Sequence, residues 1–230
     1  MSKRLDNFKF VWNNFFKPYG KITIQLGSSE IALRYKKYFN QRSWRRLFIP
    51  NKKYNCAVLN LRNFATHDDY LTTVKGKNSA DYFSRRSSKL GYYWKVFNAN
   101  EYIDAIYEIN TSASNRQGRT MDTSYLTKVT KWPNDEQNAW IGVFNQEDKL
   151  VSYIWLVLTQ ELALMNRILG HGDYLKDNIM YLNNLGVISY LYEHKKQVHF
   201  LMYDTFGRTQ NGLALFKKRI GFKPYTVNFV

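Results

Sequence analysis

One stretch in the second half of the chain constrains the fold more than any other. Glu161–Leu169 has the sequence E-L-A-L-M-N-R-I-L, which predicts a buried or half-buried strand, and G-H-G-D at Gly170–Asp173 predicts a tight turn. A helix is predicted to begin at Asp173 or Tyr174 and to run to about Lys195. A strand that ends in glycines before a helix N-terminus makes an anion site, because glycine allows close approach and first-turn N–H groups favour negative charge.

A second stretch, near the C-terminal end, predicts another strand, helix and strand. The first of these strands is expected over Val198–Tyr203. A helix is then expected within N-G-L-A-L-F-K-K-R-I-G-F-K-P-Y (Asn211–Tyr225), where it should end at the G-F pair, and a short last strand over Thr226–Val230.

Two motifs in these stretches resemble those of the GNAT acyltransferase superfamily, including its Fem-like peptidyltransferase relatives. Arg167–Gly172 (R-I-L-G-H-G) fits the R/Q-x-x-G-x-G/A pattern with which GNAT-type enzymes hold the pyrophosphate of acyl-CoA, and a helix ending in G-F before a last strand resembles their C-terminal half. The resemblance covers Tyr92–Val230 and implies an α/β fold, with a mixed, mostly antiparallel twisted sheet flanked by helices. It also implies acetyl-CoA or another acyl-CoA as cofactor, held by Arg167, Gly170, His171, Gly172 and Asp173.

The order of elements from Tyr92 onward follows the same scheme. The sequence predicts a strand over Tyr92–Asn98, helices over Asn100–Asn110 and Ser124–Lys131, and a hairpin of Trp140–Phe144 with Leu150–Leu158. In this superfamily the segment between the first two helices lines the acceptor pocket. The resemblance therefore implies substrate contacts at Asn110, Thr111, Ser112, Arg116, Gln117 and Arg119. The alternative is a polar loop that only caps helices.

The resemblance also predicts where the general acid should lie. Acyl transfer to an amine needs a held donor carbonyl, a neutral amine and an acid for the leaving group. The usual GNAT acid is a tyrosine in the last helix, a few residues before G-F, but Phe216 and Lys217 occupy that place here. Tyr203 and Tyr225 are the nearest tyrosines that could replace it.

Three residues are candidates for a general base. Glu161 begins the central strand, where some members of the superfamily carry a catalytic glutamate. His171 has a reference pKa suited to neutral pH, although it is equally a turn residue that meets phosphate. Asp204 follows Tyr203 and is otherwise a capping residue of the next loop. The catalytic candidates are thus Glu161, His171, Tyr203 and Asp204.

The charge of the chain points to a polyanionic partner. Its 230 residues include 34 Lys+Arg against 18 Asp+Glu, a formal net charge of +16. An excess this large favours a polyanionic partner, such as DNA, RNA or an anionic membrane face, because a CoA site alone would hardly require it. Of these, nucleic acid (DNA or tRNA) is the predicted partner. Basic residues alternate with aromatic ones in the N-terminal part, where aromatic faces either stack on bases or pack in the core. The candidate nucleic-acid contacts are Arg34, Lys36, Lys37, Arg45, Arg46, Lys75, Lys77, Arg85 and Arg86.

Residues 1–66 are predicted to form a β-rich basic extension on a GNAT-like domain of residues 67–230. Lys21–Leu26 and Glu30–Tyr35 alternate around G-S-S and predict a hairpin, while Arg45–Ile49 and Tyr54–Leu61 are further strand candidates.

The start of the following domain is predicted to be helical. A helix is expected to begin at Asp68 or Asp69 as N-cap and to continue, broken, until Gly91 stops it.

Other features limit the class of protein. The N-terminal sequence lacks the apolar segment of a signal peptide and no apolar run reaches membrane-spanning length, so a cytoplasmic location is expected. Cys56 is the single cysteine, which excludes an intrachain disulfide and predicts a buried, apolar role. The four histidines and this cysteine show no metal-ligand spacing, and no metal is expected.

Three functions remain open on the sequence. The first is an acyl-CoA-dependent N-acyltransferase that modifies an amine of nucleic acid, a modified DNA base or tRNA, or an amine carried by it. The second is a Fem-like transferase with aminoacyl-tRNA as donor, which the missing helix tyrosine and the G-L-x-x-F-K-K sequence suit. The third is a GNAT-shaped nucleic-acid-binding module without turnover.

Overall fold

The computed structural model describes residues 19–42, 44, 49–116, 119–206 and 211–230. Within these residues the strands, in chain order, are β1 Gly20–Ile24, β2 Cys56–Asn60, β3 Tyr93–Val96, β4 Asn115–Arg116, β5 Arg119–Thr120, β6 Asn138–Phe144, β7 Leu150–Leu158, β8 Leu162–Gly170, β9 Phe200–Thr205 and β10 Lys223–Phe229. The predicted strands from Tyr92 onward are thereby confirmed, with shifts of a few residues at their ends.

Helices connect these strands. In chain order they are α1 Glu30–Asn40, α2 His67–Thr73, α3 Ala80–Lys89, α4 Ile103–Thr111, α5 Thr123–Leu126, α6 Ile179–His194 and α7 Asn211–Ile220. Short 3₁₀ turns occupy Leu61–Asn63, Ala99–Glu101 and Gly172–Asp177. No helix in the part of the chain covered by the structure is both long and apolar enough to cross a membrane.

The described strands form an eight-stranded sheet in the order β1-β10-β2-β9-β8-β7-β6-β3, and β4 and β5 form a separate pair. This mixed α/β architecture confirms the predicted fold class. Residue contacts divide the chain into two compact units, and β8 contributes its first residues to one unit and its remainder to the other.

Unit 1 contains the described residues up to Asn63, together with Thr159–Leu164 and Gln197–Val230. In it, β1 lies parallel to β10, β10 and β9 flank β2 in antiparallel pairing, and β9 lies parallel to the start of β8. Phe39 of α1 packs on Phe229 of β10 with ring centroids 4.4 Å apart. The strands of this unit therefore come from both ends of the chain.

Unit 2 contains Phe64–Leu158 and Met165–Lys196. Its strands β3, β6 and β7 are consecutive antiparallel neighbours, with the predicted hairpin of β6 and β7 turning through Asn145–Asp148. Helix α6 is buried along almost its whole length. At Gly186 the absence of a side chain allows the Trp94 ring to approach, since an added Cβ there would lie 2.6 Å from that ring. Trp140, buried among apolar side chains, belongs to the core cluster beneath α4.

The predicted hairpin near the N-terminus is wrong. Glu30–Tyr35 belongs to helix α1, whose first turn is capped by the Ser29 hydroxyl accepting from the Ala32 amide at 3.3 Å. β1 pairs with β10 rather than with its sequence neighbour. Short apolar runs fit helix and strand equally well, and the serine before Glu30 is the helix signal. The candidate strand Arg45–Ile49 falls almost wholly outside the described residues.

Three helix predictions also need correction. Thr66, not Asp68 or Asp69, is the N-cap of α2, and Asp69 completes a capping box by accepting from the Thr66 amide at 3.0 Å. The predicted helix over Ser124–Lys131 is reduced to α5. After the glycine turn, the chain forms a 3₁₀ turn first, and α6 begins only after Asn178, whose φ of 64° breaks the helical path.

Candidate functional site

The backbone amides of the glycine turn after β8 already have partners within the protein. The His171 amide donates to the Val151 carbonyl at 2.8 Å, and the Gly172 amide donates to the Ser112 hydroxyl at 2.9 Å. The Asp173 amide lies 3.4 Å from His171 Nδ1. A pyrophosphate at this turn would have to take over at least the hydrogen bond that Ser112 now accepts.

Arg116 joins the predicted acceptor segment to the same turn. Its Nη1 donates to the Gly170 carbonyl at 2.6 Å, and its Nη2 donates to the Ile109 carbonyl at 2.8 Å and to the Ser112 hydroxyl at 2.9 Å. Burial lowers the pKa of Arg116, partly offset by nearby tyrosines. The structure thus brings Ser112 and Arg116 together with Gly170 and Gly172, residues that the sequence assigned to two different functions.

The other predicted acceptor contacts are engaged locally or lie outside the described residues. Asn110 is buried and accepts from the Tyr153 hydroxyl at 2.6 Å, while the Thr111 hydroxyl donates to the Tyr107 carbonyl at 2.9 Å. Gln117 and the side chain of Arg119 are not described. Substrate contact by these residues stays a prediction.

His171 lies among charged groups of unit 2. Its Nε2 is 3.6 Å from the Glu108 carboxylate, which also accepts from Lys149 at 2.7 Å, and its Nδ1 is 3.8 Å from the Asp173 carboxylate. Only 12% of the His171 side chain is exposed. These contacts hold the imidazole in place, and its role as a base stays a prediction.

Arg167 extends from β8 toward α5 and a tryptophan. Its guanidinium carbon lies 4.5 Å from the ring centroid of Tyr125 and 5.2 Å from that of Trp132. Its Nη2 donates to the Ser124 carbonyl at 3.2 Å, and its Nη1 is buried without a hydrogen-bond partner among the described residues. A pyrophosphate role for Arg167 would require this side chain to leave both rings.

Glu161 is held in unit 1 by basic groups and by a backbone amide. Arg62 donates to its carboxylate at 2.5 Å, the Gln25 amide donates at 2.9 Å, and His199 Nδ1 lies 3.3 Å away. Burial raises the pKa of Glu161, but the hydrogen bonds and the Arg62 charge outweigh burial and leave the pKa below its ordinary value. A carboxylate of this kind accepts protons poorly near neutral pH, which disfavours the predicted base.

Lys217 is the functional candidate that the sequence did not reveal. It lies on α7 and is only 1% exposed, with Nζ donating to the Thr205 carbonyl at 2.8 Å. Nζ is also 4.4 Å from the Tyr203 ring centroid. Burial lowers the pKa of Lys217 to about 8, while the Asp204 charge opposes that shift and the Lys52 charge adds to it. The amphipathic pattern of α7 was the available signal, because position 217 follows Ala214 and precedes Ile220 on the buried face.

Tyr203 and Asp204 lie close to Lys217 at the end of β9. The Tyr203 ring packs edge-on against Phe222 at 5.9 Å, and Asp204 forms a close ion pair with Lys52. Asp204 has a φ of 52°, and the pairing of β9 with β2 is irregular here. The structure therefore gathers two of the four predicted catalytic residues around a lysine that was not predicted.

Both predicted basic surfaces are exposed where the structure describes them. In unit 1 these residues are Arg34, Lys36 and Lys37 on α1, and in unit 2 they are Lys75, Lys77, Arg85 and Arg86 around α3. Arg85 pairs with Asp81 at 2.8 Å, one turn away. Arg45 and Arg46 lie outside the described residues. Nucleic-acid binding by these surfaces stays a prediction.

Cys56 is fully buried with a free thiol, as predicted, and burial raises its pKa to about 12. The described part of the chain contains no group of three or more His, Cys, Asp or Glu residues placed to hold a metal.

Comparison with known proteins identifies the fold. No family model and no curated protein sequence matches the chain. FemX matches with a TM-score of 0.57 and 11% identity over 74% of this chain and 59% of FemX. The C-terminal domain of an Agrobacterium fabrum protein assigned as a lysylphosphatidylglycerol synthetase matches with a TM-score of 0.50 and 13% identity over 75% of this chain and 58% of that domain. A tandem GNAT protein from clavulanic acid biosynthesis matches at 0.48 with 17% identity, over 75% of this chain and 50% of that protein.

The chain therefore has the fold of FemX and of the synthetase domain. It resembles FemX and the synthetase domain in architecture and spans 59% and 58% of their respective lengths.

Proposed function

We propose that the protein is an acyltransferase that moves an aminoacyl group from aminoacyl-tRNA to an amine. The observation that carries this proposal is Lys217, a buried lysine whose Nζ faces the Thr205 carbonyl at the end of β9. The architectural likeness to FemX and to the synthetase domain supports it, since the resemblance to Fem-like transferases implies aminoacyl-tRNA as donor.

The leaving group explains why a lysine suits this donor. Aminoacyl-tRNA is an ester, and its leaving group is a ribose alkoxide, which is far more basic than the thiolate that leaves from acyl-CoA. An ester donor therefore gains more from a nearby ammonium group, which stabilises the developing oxyanion and returns a proton to the ribose oxygen. With a pKa of about 8, Lys217 can give up and regain a proton near neutral pH.

The state of the glycine turn also favours this donor over acyl-CoA. The Gly172 amide, which the CoA pattern assigns to pyrophosphate, already donates to Ser112 at 2.9 Å. Arg167 is stacked on Tyr125 at 4.5 Å. Exposed cations on α1 and α3 supply charge for a polynucleotide instead.

A transfer assay on total aminoacyl-tRNA carrying labelled amino acids tests the proposal. The protein is incubated with this donor and a pool of dipeptides, and mild base then hydrolyses the remaining ester while any new amide survives. We expect label in the base-stable fraction with the wild type, and a loss of at least about a hundredfold with Lys217→Met. Lys218→Met is the matched control, because Lys218 is the next residue on α7 and is exposed; it should stay within about twofold. Equal activity of Lys217→Met and the control would contradict the role of Lys217.

A second candidate is an acyl-CoA-dependent N-acyltransferase that modifies an amine of nucleic acid. It is favoured by the R-I-L-G-H-G sequence and by the parallel pairing of β8 with β9, which covers only Leu162–Leu164. Under this alternative, acetyl-CoA binds the wild type in isothermal titration and Gly172→Val abolishes binding. An added Cβ at Gly172 would lie 3.1 Å from the Ser112 carbonyl oxygen. Label transfer from acetyl-CoA with none from aminoacyl-tRNA would replace the first proposal by this one.

A further inference from the structure

One cluster in unit 2 has buried hydrogen-bond donors without acceptors. Arg167 Nη1, Arg116 Nε and Trp132 Nε1 are all buried and have no hydrogen-bond partner among the described residues. Two oxygen atoms lie close to Arg167: the Tyr153 hydroxyl, which donates to Asn110 and interacts with the Arg167 guanidinium, and the Ser124 carbonyl, which accepts from Arg167 Nη2. A buried donor without a partner costs stability, so three in one cluster require an explanation.

Two of these donors belong to neighbouring side chains, and the third belongs to an arginine that acts on the same tyrosines. The guanidinium of Arg167 lies 5.2 Å from the ring centroid of Trp132. Burial raises the pKa of Tyr125, and the charges of Arg167 and Arg116 both act against it, so both guanidiniums lie within electrostatic range of this one hydroxyl. Tyr153 likewise interacts with both arginines.

The cluster also carries uncompensated positive charge. Among the described residues, the recorded ion pairs include neither Arg116 nor Arg167. The charge of Arg167 acts on Asp122, an exposed N-cap of α5, but the Asp122 carboxylate accepts from the Ser124 amide at 2.8 Å. Two partly buried guanidiniums that face no carboxylate of their own form a site for an anion.

We propose that Arg116, Arg167 and Trp132 bind the carboxylate of the acceptor, which is an amino acid or a short peptide with a free C-terminus. A carboxylate only accepts hydrogen bonds and offers about four lone-pair positions, so it suits a site that presents several donors and no acceptor of its own. This inference rests on the proposed function where it calls the ligand an acceptor, and it adds the chemical class of that acceptor.

The surroundings favour a carboxylate over a phosphate. Aromatic rings line the cluster, with Trp132 and Trp155 centroids 5.8 Å apart and Trp140 stacked on Trp155 at 5.1 Å. Transfer of charge into such surroundings is costly and grows with the charge, so a monoanion is preferred over a phosphate dianion. Rings also suit the apolar side chain of an amino acid beside its carboxylate.

Isothermal titration of the wild type with two matched ligands tests the site without any transfer reaction. L-Ala-L-Ala and L-Ala-L-Ala amide carry the same amine and side chains, and only the first has a carboxylate. We expect the acid to bind and the amide to bind at least about tenfold more weakly, because a charge-assisted pair is lost. Inorganic phosphate is titrated separately and should not compete with the acid.

Three variants locate the binding site. Arg167→Gln should weaken binding of the acid by about tenfold to a hundredfold. Trp132→Phe keeps the ring and removes the indole N–H, and should weaken binding by a few-fold, about twofold to tenfold. Lys131→Gln is the matched control, because Lys131 is exposed beside Trp132, and its affinity should stay unchanged. Circular dichroism of each variant verifies that it is folded before titration.

Four outcomes overturn the inference: equal binding of acid and amide, no binding of either, preferential binding of phosphate, or equal losses for Arg167→Gln and Lys131→Gln. Its failure is distinguishable from failure of the proposed function. Label transfer that depends on Lys217 but proceeds equally with the amidated dipeptide would retain the function and remove the carboxylate site. Dipeptide binding without any transfer would retain the site and remove the function.

Discussion

Each unit withdraws a cation from solvent, Lys217 almost completely and Arg167 in part, and the two cations differ in what they can do. Lys217 in unit 1 is 1% exposed, donates to a backbone carbonyl and has a pKa lowered to about 8 by burial. The guanidinium of Arg167 in unit 2 lies 4.5 Å from the Tyr125 ring centroid and 5.2 Å from that of Trp132, and a guanidinium is a permanent planar cation in proteins. A group that can exchange a proton suits reacting atoms, whereas a permanent planar cation suits recognition of a carboxylate.

The largest expected effect is the salt dependence of tRNA binding by the exposed cations around α1 and α3. It provides a reference for Lys217 and Arg167, which are shielded from solvent. Affinity for tRNA should fall by about a thousandfold or more between 50 and 200 mM salt if six or more phosphate contacts form. Dipeptide affinity should change far less, because buried charges are screened little. Filter binding and calorimetry over the same salt series provide the measurement. If tRNA fails to bind even at low salt, the donor proposal is wrong.

The next effect concerns the proton of Lys217. The folded-state pKa of about 8 lies below the unfolded value of about 10.4, so the unfolded state binds more protons between these pH values. The contribution of Lys217 to stability should therefore rise with pH across this window by about 3 kcal/mol in total, and the penalty for burying its charge is fully present below pH 8. The raised pKa of the Cys56 thiol contributes in the opposite direction, so the effect of Lys217 is obtained by comparing the wild type with a variant.

Lys217→Met should remove this contribution, and urea unfolding of the wild type and the variant at pH 7.5 and pH 10 measures it as the difference between the two proteins. Lys218→Met should retain it, because Lys218 is exposed. If the Lys217→Met protein keeps the same rise, then another group is responsible and the lysine is not titrating in this window.

Arg167 should behave differently in the same measurement. Arg167→Met removes the hydrogen bond to Ser124 and two ring contacts, and should cost about 1–2 kcal/mol at every pH in this range. The pH-dependent rise attributed to Lys217 should be unaffected. If this variant flattened the rise, the two cations would be coupled, and the contrast between them would no longer hold.

The smallest expected effect is a shift in the titration of Lys217 when the charge of its neighbour Asp204 is removed. The Asp204 charge raises the pKa of Lys217, so Asp204→Asn should move its titration to lower pH. Asparagine tolerates the left-handed conformation that Asp204 adopts at φ 52°, which limits backbone effects. The midpoint of the transfer-rate profile measures the shift, and a midpoint that rises would contradict the assigned direction.

The sequence predicted the second half of the fold well, and particular residues show why. The hairpin of β6 and β7 has long apolar runs on both sides of a polar turn, and the final helix ends in a glycine with φ 100° at Gly221. Glu30–Tyr35 failed because six residues cannot separate a period of two from one of 3.6. The pairing of β1 with β10 could not be deduced from the sequence, because a local pattern does not indicate which distant strand is the partner.

The candidate site was predicted less well, because burial decides its chemistry. Lys217 stands in F-K-K, and its sequence letter does not distinguish it from the exposed Lys218 beside it. Arg167 was assigned to pyrophosphate from its motif, yet its side chain contacts Tyr125 and Trp132, which are distant in sequence. Local spacing predicted which backbone turn forms, and tertiary contacts determine where the side chains go.

The parallel pairing of β1 with β10 also sets the order in which the protein can be built on the ribosome. All strands described for unit 2 have been synthesised once α6 is complete, and β3, β6 and β7 pair in chain order. The sheet of unit 1 must wait for its last strand, so β1 and β2 leave the exit tunnel long before β10 exists. A nascent chain paused after α6 presents these two strands without β9 and β10, as a target for chaperones.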